Sequence, residues 1–272
     1  MTFQQKLDRI VERNNSLLCV GLDPVMEKLP EILKTSDTPF FDFNKEIIDA
    51  TSDLVYCYKP NSAFYEALGE KGIGELKKTC DYIKSHYPDM PIILDAKRGD
   101  LVDTNKGYTT YAFDYIGADA VTLHSYLGGE VLKPFLDRKD KGCIIMCKNS
   151  NPDSGEFQNL LVDGKPLYLK VAENFAKKWN YNNNVLLVVG STYPEELGSV
   201  RKIVGDMTIL VPGMGAQGGD IEKSLKYGLN KEGRGIILST SRVVLYASSG
   251  KDFAKKSREK ATELRDTINK YR

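Results

Sequence analysis

Pro91-Ile92-Ile93-Leu94-Asp95-Ala96-Lys97-Arg98-Gly99-Asp100 begins as an unbroken apolar run and ends in a burst of charge. An apolar run without polar alternation suits a parallel strand covered by helices on both faces. Seven similar runs flank it: Leu17–Leu22, Val55–Lys59, Ala120–His124, Cys143–Cys147, Val185–Val189, Thr208–Val211 and Gly235–Leu238. Between them lie helical patterns, among them Gly74–His86, Asn105–Tyr115, Pro166–Lys178 and Pro194–Val204, and a charged one over Lys251–Tyr271 closes the chain. Eight β-then-α repeats predict the α/β class and a (β/α)₈ TIM barrel; a six-stranded doubly wound sheet would leave two runs unexplained. The 272 residues suit such a barrel, typically ~250 residues long, and no low-complexity linker divides them, so one barrel domain is expected over 1–272.

Composition narrows the partners. Lys plus Arg (38) nearly equals Asp plus Glu (37), for a net charge of +1, which argues against nucleic-acid binding through bulk positive charge. The start, MTFQQKLDRIVERNN, is charged and amphipathic and lacks the apolar core of a signal peptide; no stretch approaches the ~18–20 apolar residues of a membrane span. Five cysteines, three of them (Cys19, Cys57, Cys143) in strand-like runs, read as buried thiols in a reducing, cytoplasmic setting rather than as a disulfide framework. Cys143 and Cys147 with His124 make a poor metal set, since no second His or Cys pair joins them. No metal and no organic cofactor are expected.

Charge gathers where strands end. Asp95 and Lys97 are two apart, so period-two geometry sends both side chains to one face, here the barrel mouth, and Asp100 follows on the loop. A lysine between carboxylates stays protonated, because nearby negative charge favours the ammonium. Such a group can deliver a proton to a carbanion, while the carboxylates repel an anionic group about to leave. A salt-bridge cluster at a loop start is the plainer reading of the same residues. Asp23 at the end of the first run and Lys59 at the end of the second add weight; each singly reads equally as a solvated terminus, but three adjacent strands ending in charge argue for a site. Two long segments, 23–43 with three prolines and 149–165, also follow strands and are expected at the C-terminal face, where barrels keep their active sites.

A second signal concerns phosphate. Val211-Pro212-Gly213-Met214-Gly215-Ala216-Gln217-Gly218-Gly219-Asp220 follows the seventh run, and its glycines let backbone N–H groups approach an anion ahead of a helix N-terminus. Ser239-Thr240-Ser241-Arg242 follows the eighth and adds a guanidinium suited to bidentate phosphate contact. Loops after strands seven and eight are a frequent phosphate site in barrels, and the missing Gly-Lys-Ser/Thr ending excludes a nucleotide P-loop.

Asp95-x-Lys97-x-x-Asp100-Leu101-x-x-Thr104 together with the Pro-Gly-Met-Gly-Ala-Gln-Gly-Gly run resembles the orotidine 5′-phosphate decarboxylase family. The likeness runs from Leu18-Cys19-Val20-Gly21-Leu22-Asp23 to Ser241-Arg242. Tyr58-Lys59-Pro60-Asn61-Ser62-Ala63-Phe64-Tyr65-Glu66 and Cys147-Lys148-Asn149-Ser150-Asn151-Pro152 are similar to its longer-loop, bacterial-type branch. The resemblance implies conversion of orotidine 5′-phosphate to uridine 5′-phosphate, the last step of de novo UMP synthesis. It implies Lys97 as proton donor to carbon 6, flanked by Asp95 and by Asp100 of a partner subunit, with Lys59 in the charged network and at the ribose. By the same likeness Asp23 also holds ribose, Thr104 crosses the interface of a homodimer with Asp100, Ser150 bonds the pyrimidine, and Gln217 and Arg242 grip the phosphate beside Pro212. Ser241 stands where many members carry glycine, and Leu101 where isoleucine is frequent. The rivals are a metal-dependent sugar-phosphate decarboxylase or aldolase on the same barrel, and a non-catalytic nucleotide-binding barrel.

Overall fold

All eight apolar runs are strands in the computed structural model, which describes residues 1–214 and 220–272. They are β1 (Leu18–Gly21), β2 (Cys57–Lys59), β3 (Ile93–Arg98), β4 (Ala120–Leu123), β5 (Gly142–Lys148), β6 (Val185–Val189), β7 (Ile209–Pro212) and β8 (Ile236–Thr240). Every pairing between them is parallel, in the order β2-β1-β8-β7-β6-β5-β4-β3. Parallel bridges between Tyr58 and Ile92 and between Asn61 and Asp95 join the two ends of that row. The sheet therefore closes on itself as a (β/α)₈ barrel, and closure leaves no strand edge to water.

Burial on both faces explains the missing alternation: β1, β4, β6 and β8 are buried at every position. The outer layer includes helices Pro39–Thr51, Gly69–His86, Leu167–Lys177, Pro194–Val204, Ile221–Gly228 and Phe253–Lys270. The expected helix over Asn105–Tyr115 is α-helical over Val102–Thr109 and widens into a π-helix over Thr110–Tyr115. Segment 23–43 is partly helical, with short turns at Met26–Lys28 and Glu31–Lys34 and a full helix from Pro39, whose preset φ suits a first turn. Segment 149–165 folds into two short turns and a small hairpin pairing Leu161–Val162 with Lys165–Pro166. Asp163 and Gly164 both have positive φ, as a two-residue type I′ hairpin turn requires. All five cysteines are buried free thiols, and among the described residues no helix is long and apolar enough to cross a membrane.

The N-terminal end of the barrel is occupied by structural contacts. Helix Phe3–Asn14 begins with a Thr2/Gln5 capping box and lays Phe3 over Gly142, where a Cβ would come within 2.4 Å of the Phe3 ring. Arg201 donates five hydrogen bonds to the carbonyls of Gly205, Met207, Gly228 and Gly235, locking the segments that enter β7 and β8. Burial pushes its guanidinium down to about 10 without discharging it at neutral pH. Arg201→Met is expected to lower unfolding free energy by about 2–4 kcal/mol, since several charge-assisted bonds, most of them part-buried, vanish together. Urea denaturation reads this loss. The KM for substrate should stay unchanged, because Arg201 lies at the end of the barrel remote from the mouth.

Candidate active site

The mouth is organised around one carboxylate. Asp95 receives Lys97 Nζ on Oδ1 at 2.6 Å and Lys59 Nζ on Oδ2 at 2.9 Å. Thr122 Oγ1 donates to Oδ1 at 2.9 Å, and Asn61 Nδ2 reaches Oδ2 at 3.5 Å. Asp95 and Lys59 are nearly enclosed, their side chains 11% and 8% exposed, whereas that of Lys97 is 40% exposed and faces the opening.

Asp95 and Lys97 do converge, though by a route that alternation alone does not describe. The β3–β4 register runs from Leu94↔Val121 to Arg98↔Leu123, so four steps on β3 match two on β4. Inside this bulge Lys97 takes a left-handed φ of 46°, and its N–H donates to the Thr122 side chain at 2.9 Å rather than to a strand carbonyl. A non-glycine residue there is strained, and bulges near active sites serve to re-aim a side chain. The electrostatics agree with the distances. Burial by itself would raise the Asp95 carboxyl, but the ammonium groups of Lys59 and Lys97 outweigh it and hold the group well below the usual carboxylate range. Burial likewise opposes charge on Lys59, and Asp95 followed by Asp23 overcomes it, so this ammonium is held above its ordinary range.

Beside this array lies a cavity of about 450 Å³ whose walls include Asp23, Lys59, Lys97, Ser150, Pro212 and Arg242. Six residues singled out in the sequence thus meet in one space. Asp23 is fixed by the Asn61 N–H, which donates to its Oδ1 at 3.0 Å. Arg242 is exposed at the start of the short helix Arg242–Leu245. Gly21 has a steric task here, since a Cβ would come within 2.8 Å of Ser241 Cβ and 3.0 Å of Asp23 Oδ2. Ser241, in the place where glycine is frequent, buries its hydroxyl against that glycine with no hydrogen-bond partner among the described residues.

Asp100 and Thr104 do not line the cavity of their own chain. The Asp100 carboxylate accepts the Leu101 N–H at 2.7 Å, and Thr104 is exposed on helix Val102–Thr109. Gln217 lies outside the described residues. Cys147 Sγ donates to the Tyr168 carbonyl, so one of the two thiols considered alongside His124 is already engaged. His124 does line the cavity, and burial, then the Lys97 ammonium, pushes its ring below the usual histidine range, leaving it neutral at pH 7.

Three contributors escaped the sequence reading. Thr122, inside β4, carries both Asp95 and the Lys97 backbone. Asn61 caps helix Ser62–Glu66 while holding Asp23 and Asp95. Asn105, fully buried, accepts from the Asp100 N–H and donates to the carbonyls of Asp100 and Val131, fixing the loop after β3. The polar Asn61 just before a helix was a usable N-cap signal; a threonine within an apolar strand carries none.

The family model for the orotidine 5′-phosphate decarboxylase / HUMPS family matches residues 16–256. The chain belongs to that family. Among relatives, the orotidine 5′-phosphate decarboxylase of Cellvibrio japonicus is 49% identical over 271 residues, covering 99% of this chain and 98% of the relative. Among solved structures, the OMP decarboxylase of Leishmania donovani superposes with a TM-score of 0.88 at 36% identity, covering 100% of this chain and 99% of that one. The UMP synthase of the same organism gives a TM-score of 0.89 at 38% identity over 100% of this chain, which spans 56% of that longer protein. Family membership fits the charged mouth, where β1, β2, β3 and β8 end on the cavity or on the charged array beside it.

Asp95→Asn should destabilise the fold by about 3–5 kcal/mol, the usual consequence of stripping one partner from a buried ion pair. The pH dependence has a definite sign. Because the folded carboxyl is held low, its contribution is complete above the ordinary carboxylate value of about 4 and is lost as pH falls through the folded value. Lys59, held high, adds no slope below about pH 10. The stability gap between the two proteins, followed by urea titration, should be flat from about pH 5 to 8 and shrink below about pH 4.

Proposed function

We infer that residues 1–272 act as one barrel domain that removes carbon dioxide from orotidine 5′-phosphate and releases uridine 5′-phosphate. The observation that carries this is the Lys59–Asp95–Lys97 array at the mouth of a chain from this family, with the rim residues Pro212 and Arg242 on the same cavity. That curated relatives matching the whole chain at 44–49% identity bear the decarboxylase name favours this reaction over sugar-phosphate chemistry.

The chemistry follows from the groups available. When the bond from ring carbon 6 to the carboxylate breaks, the electron pair stays on carbon 6 in an sp² orbital that the ring carbonyls absorb poorly. Enzymes lower such barriers by about 8–23 kcal/mol, more than one contact supplies. Lys97, the exposed member of the array, delivers its proton to carbon 6, and its ammonium stabilises the developing charge beforehand because Asp95 and the bulge fix it in place. The resulting neutral amine regains a proton from solvent. Lys59 and Asp23 hold the ribose and Ser150 the pyrimidine, while Arg242 and Gln217 hold the phosphate beside Pro212. Phosphate contacts far from carbon 6 convert binding energy into positioning of the ring.

The working form in this reading is a homodimer in which Asp100 and Thr104 complete the partner's site. The placement of Asp100 outside its own cavity supports it, as do the apolar side chains beside these residues: Leu101 is 63% exposed and Val102 39%, with Tyr126 and Leu127 exposed on the loop after the neighbouring strand. Apolar exposure of this kind marks interaction surfaces. Five buried thiols and no disulfide suit the cytoplasm.

Loss of the ultraviolet absorbance of orotidine 5′-phosphate on adding purified enzyme with chelator present, and recovery of uridine 5′-phosphate, tests the reaction. Turnover that needs added magnesium would point to the sugar-phosphate rival, and ligand binding without turnover to a binding-only barrel. Lys97→Ala should lower kcat at least about a thousand-fold, in line with loss of both proton donor and preorganised charge, while uridine 5′-phosphate still binds. Arg242→Ala should weaken that binding by about 1.5–3 kcal/mol, the range of a charged hydrogen bond, with kcat less affected. For the interface, inactive Lys97→Ala and Asp100→Ala proteins mixed in equal amounts should regain about a quarter of the sites, since each mixed dimer rebuilds one. No recovery after subunit exchange would place Asp100 in its own site.

A further inference from the structure

Lys148 ends β5 with 0% exposure, yet none of the proposed chemistry uses it. Its Nζ donates to Ser154 Oγ at 2.9 Å and stands 4.4 Å from the Tyr193 ring centroid and 6.0 Å from that of Tyr168. Its partners are thus one hydroxyl and two aromatic faces; among the described residues no carboxylate pairs with it. Withdrawing an ammonium from water costs several kcal/mol, and a desolvated cation–π contact returns only about 2. An apolar side chain of equal length would serve packing as well or better, so fold stability does not account for this lysine.

What the lysine adjoins is the part of the cavity wall contributed by Asn149, Ser150 and Asn151. This wall is pinned to the loop after β6. Gly190 N–H donates to the Lys148 carbonyl at 2.8 Å, Thr192 Oγ1 to the Ser150 carbonyl at 3.3 Å, and Tyr193 Oη to the Asn151 carbonyl at 3.3 Å. Ser154 Oγ, which receives Lys148, is 3.5 Å from Tyr193 Oη. Gly190 presses on the Ser150 backbone so closely that a Cβ would fall within 2.7 Å of Ser150 Cα. The ammonium therefore sits at the crossing of two loops, one turn of chain from the serine that faces the pyrimidine.

We propose that Lys148 is a positioning residue for base recognition: its buried ammonium fixes the Tyr193 ring and the Ser154 turn, and through them holds Ser150 against the pyrimidine without touching substrate. This rests on the reading of Ser150 and of the reaction given above. A hydroxyl discriminates a ring edge only when held in place, and a charge whose partners among the described residues are one hydroxyl and two aromatic faces is tied to their orientation.

The test is Lys148→Met, which keeps length and removes charge. The KM for orotidine 5′-phosphate and the dissociation constant of uridine 5′-phosphate should each rise about ten-fold, with kcat within about three-fold of wild type and thermal stability unchanged or higher. Inhibition by ribose 5-phosphate, which lacks the ring, should not change. Combining the substitution with Ser150→Ala should add little to either alone. Wild-type affinity for uridine 5′-phosphate in Lys148→Met overturns the proposal, as does equal weakening of ribose 5-phosphate or full additivity with Ser150→Ala. Should Lys148→Met not fold, Tyr193→Leu takes its place, with the same ring-selective loss expected and wild-type affinity counting against. A wild-type enzyme inert toward orotidine 5′-phosphate would overturn the reaction and this proposal together, a result distinct from an active enzyme indifferent to Lys148.

Discussion

A carboxylate enclosed between two ammonium groups is the constraint on which the mouth of this barrel depends. The same residue supplies structure and charge: the Asp95 N–H donates to the Pro60 carbonyl at 2.9 Å, part of the seam between β2 and β3 that closes the sheet, while its side chain gathers Lys59 and Lys97. Enclosing a charge is unfavourable unless it is paired and its remaining lone pairs are filled, and here Thr122 and Asn61 complete the set. Two positive groups around one negative leave the triad with surplus positive charge, and that surplus sits on its most exposed member, Lys97. In the proposed dimer, the partner's Asp100 restores the balance and sets a second carboxylate against the leaving one.

Strain at Lys97 belongs to the same arrangement. A left-handed non-glycine residue costs on the order of 1–3 kcal/mol and persists only where surroundings over-determine it. The over-determination is visible: the backbone N–H is held by Thr122 and the ammonium by Asp95. A donor already in position when substrate arrives needs no reorganisation at the moment of bond breaking, which is where preorganised electrostatics gain over water. The proposed role of Lys148 applies the same principle two strands round the barrel, with orientation again supplied by fixed neighbours rather than by the substrate.

The barrel was legible in the sequence because parallel strands buried on both faces leave an apolar signature that needs no knowledge of the partners. Strand ends carried charge outward from that signature, so Asp23, Lys59, Asp95, Lys97 and Arg242 were found together. What stayed hidden depends on pairing between strands. The bulge at Lys97 exists only in register with β4, and Thr122 matters only because that register brings its hydroxyl under Asp95. Only the first turn of helix Pro39–Thr51, up to residue 43, was read as part of a loop, because prolines dominate its approach, although Pro39 itself is a favourable first residue. The placement of Asp100 is a different case: in the proposed dimer it serves the partner's site, and such a residue looks misplaced within its own chain.

The two ends of the barrel treat buried cations in opposite ways, and the contrast bears on why Lys148 is retained. At the N-terminal end Arg201 directs five hydrogen bonds to backbone carbonyls, a cohesive use of charge. At the mouth, Lys59 is buried against a carboxylate that also orders Lys97, and Lys148 is buried with no carboxylate partner among the described residues. Cohesion would place an unpaired ammonium nowhere, because an apolar residue packs without the desolvation cost. Its presence beside Ser150 is intelligible only if a fixed geometry there is worth more than the stability given up. Uncompensated charge is thus concentrated where substrate must be held, and satisfied charge where the barrel must simply stay closed.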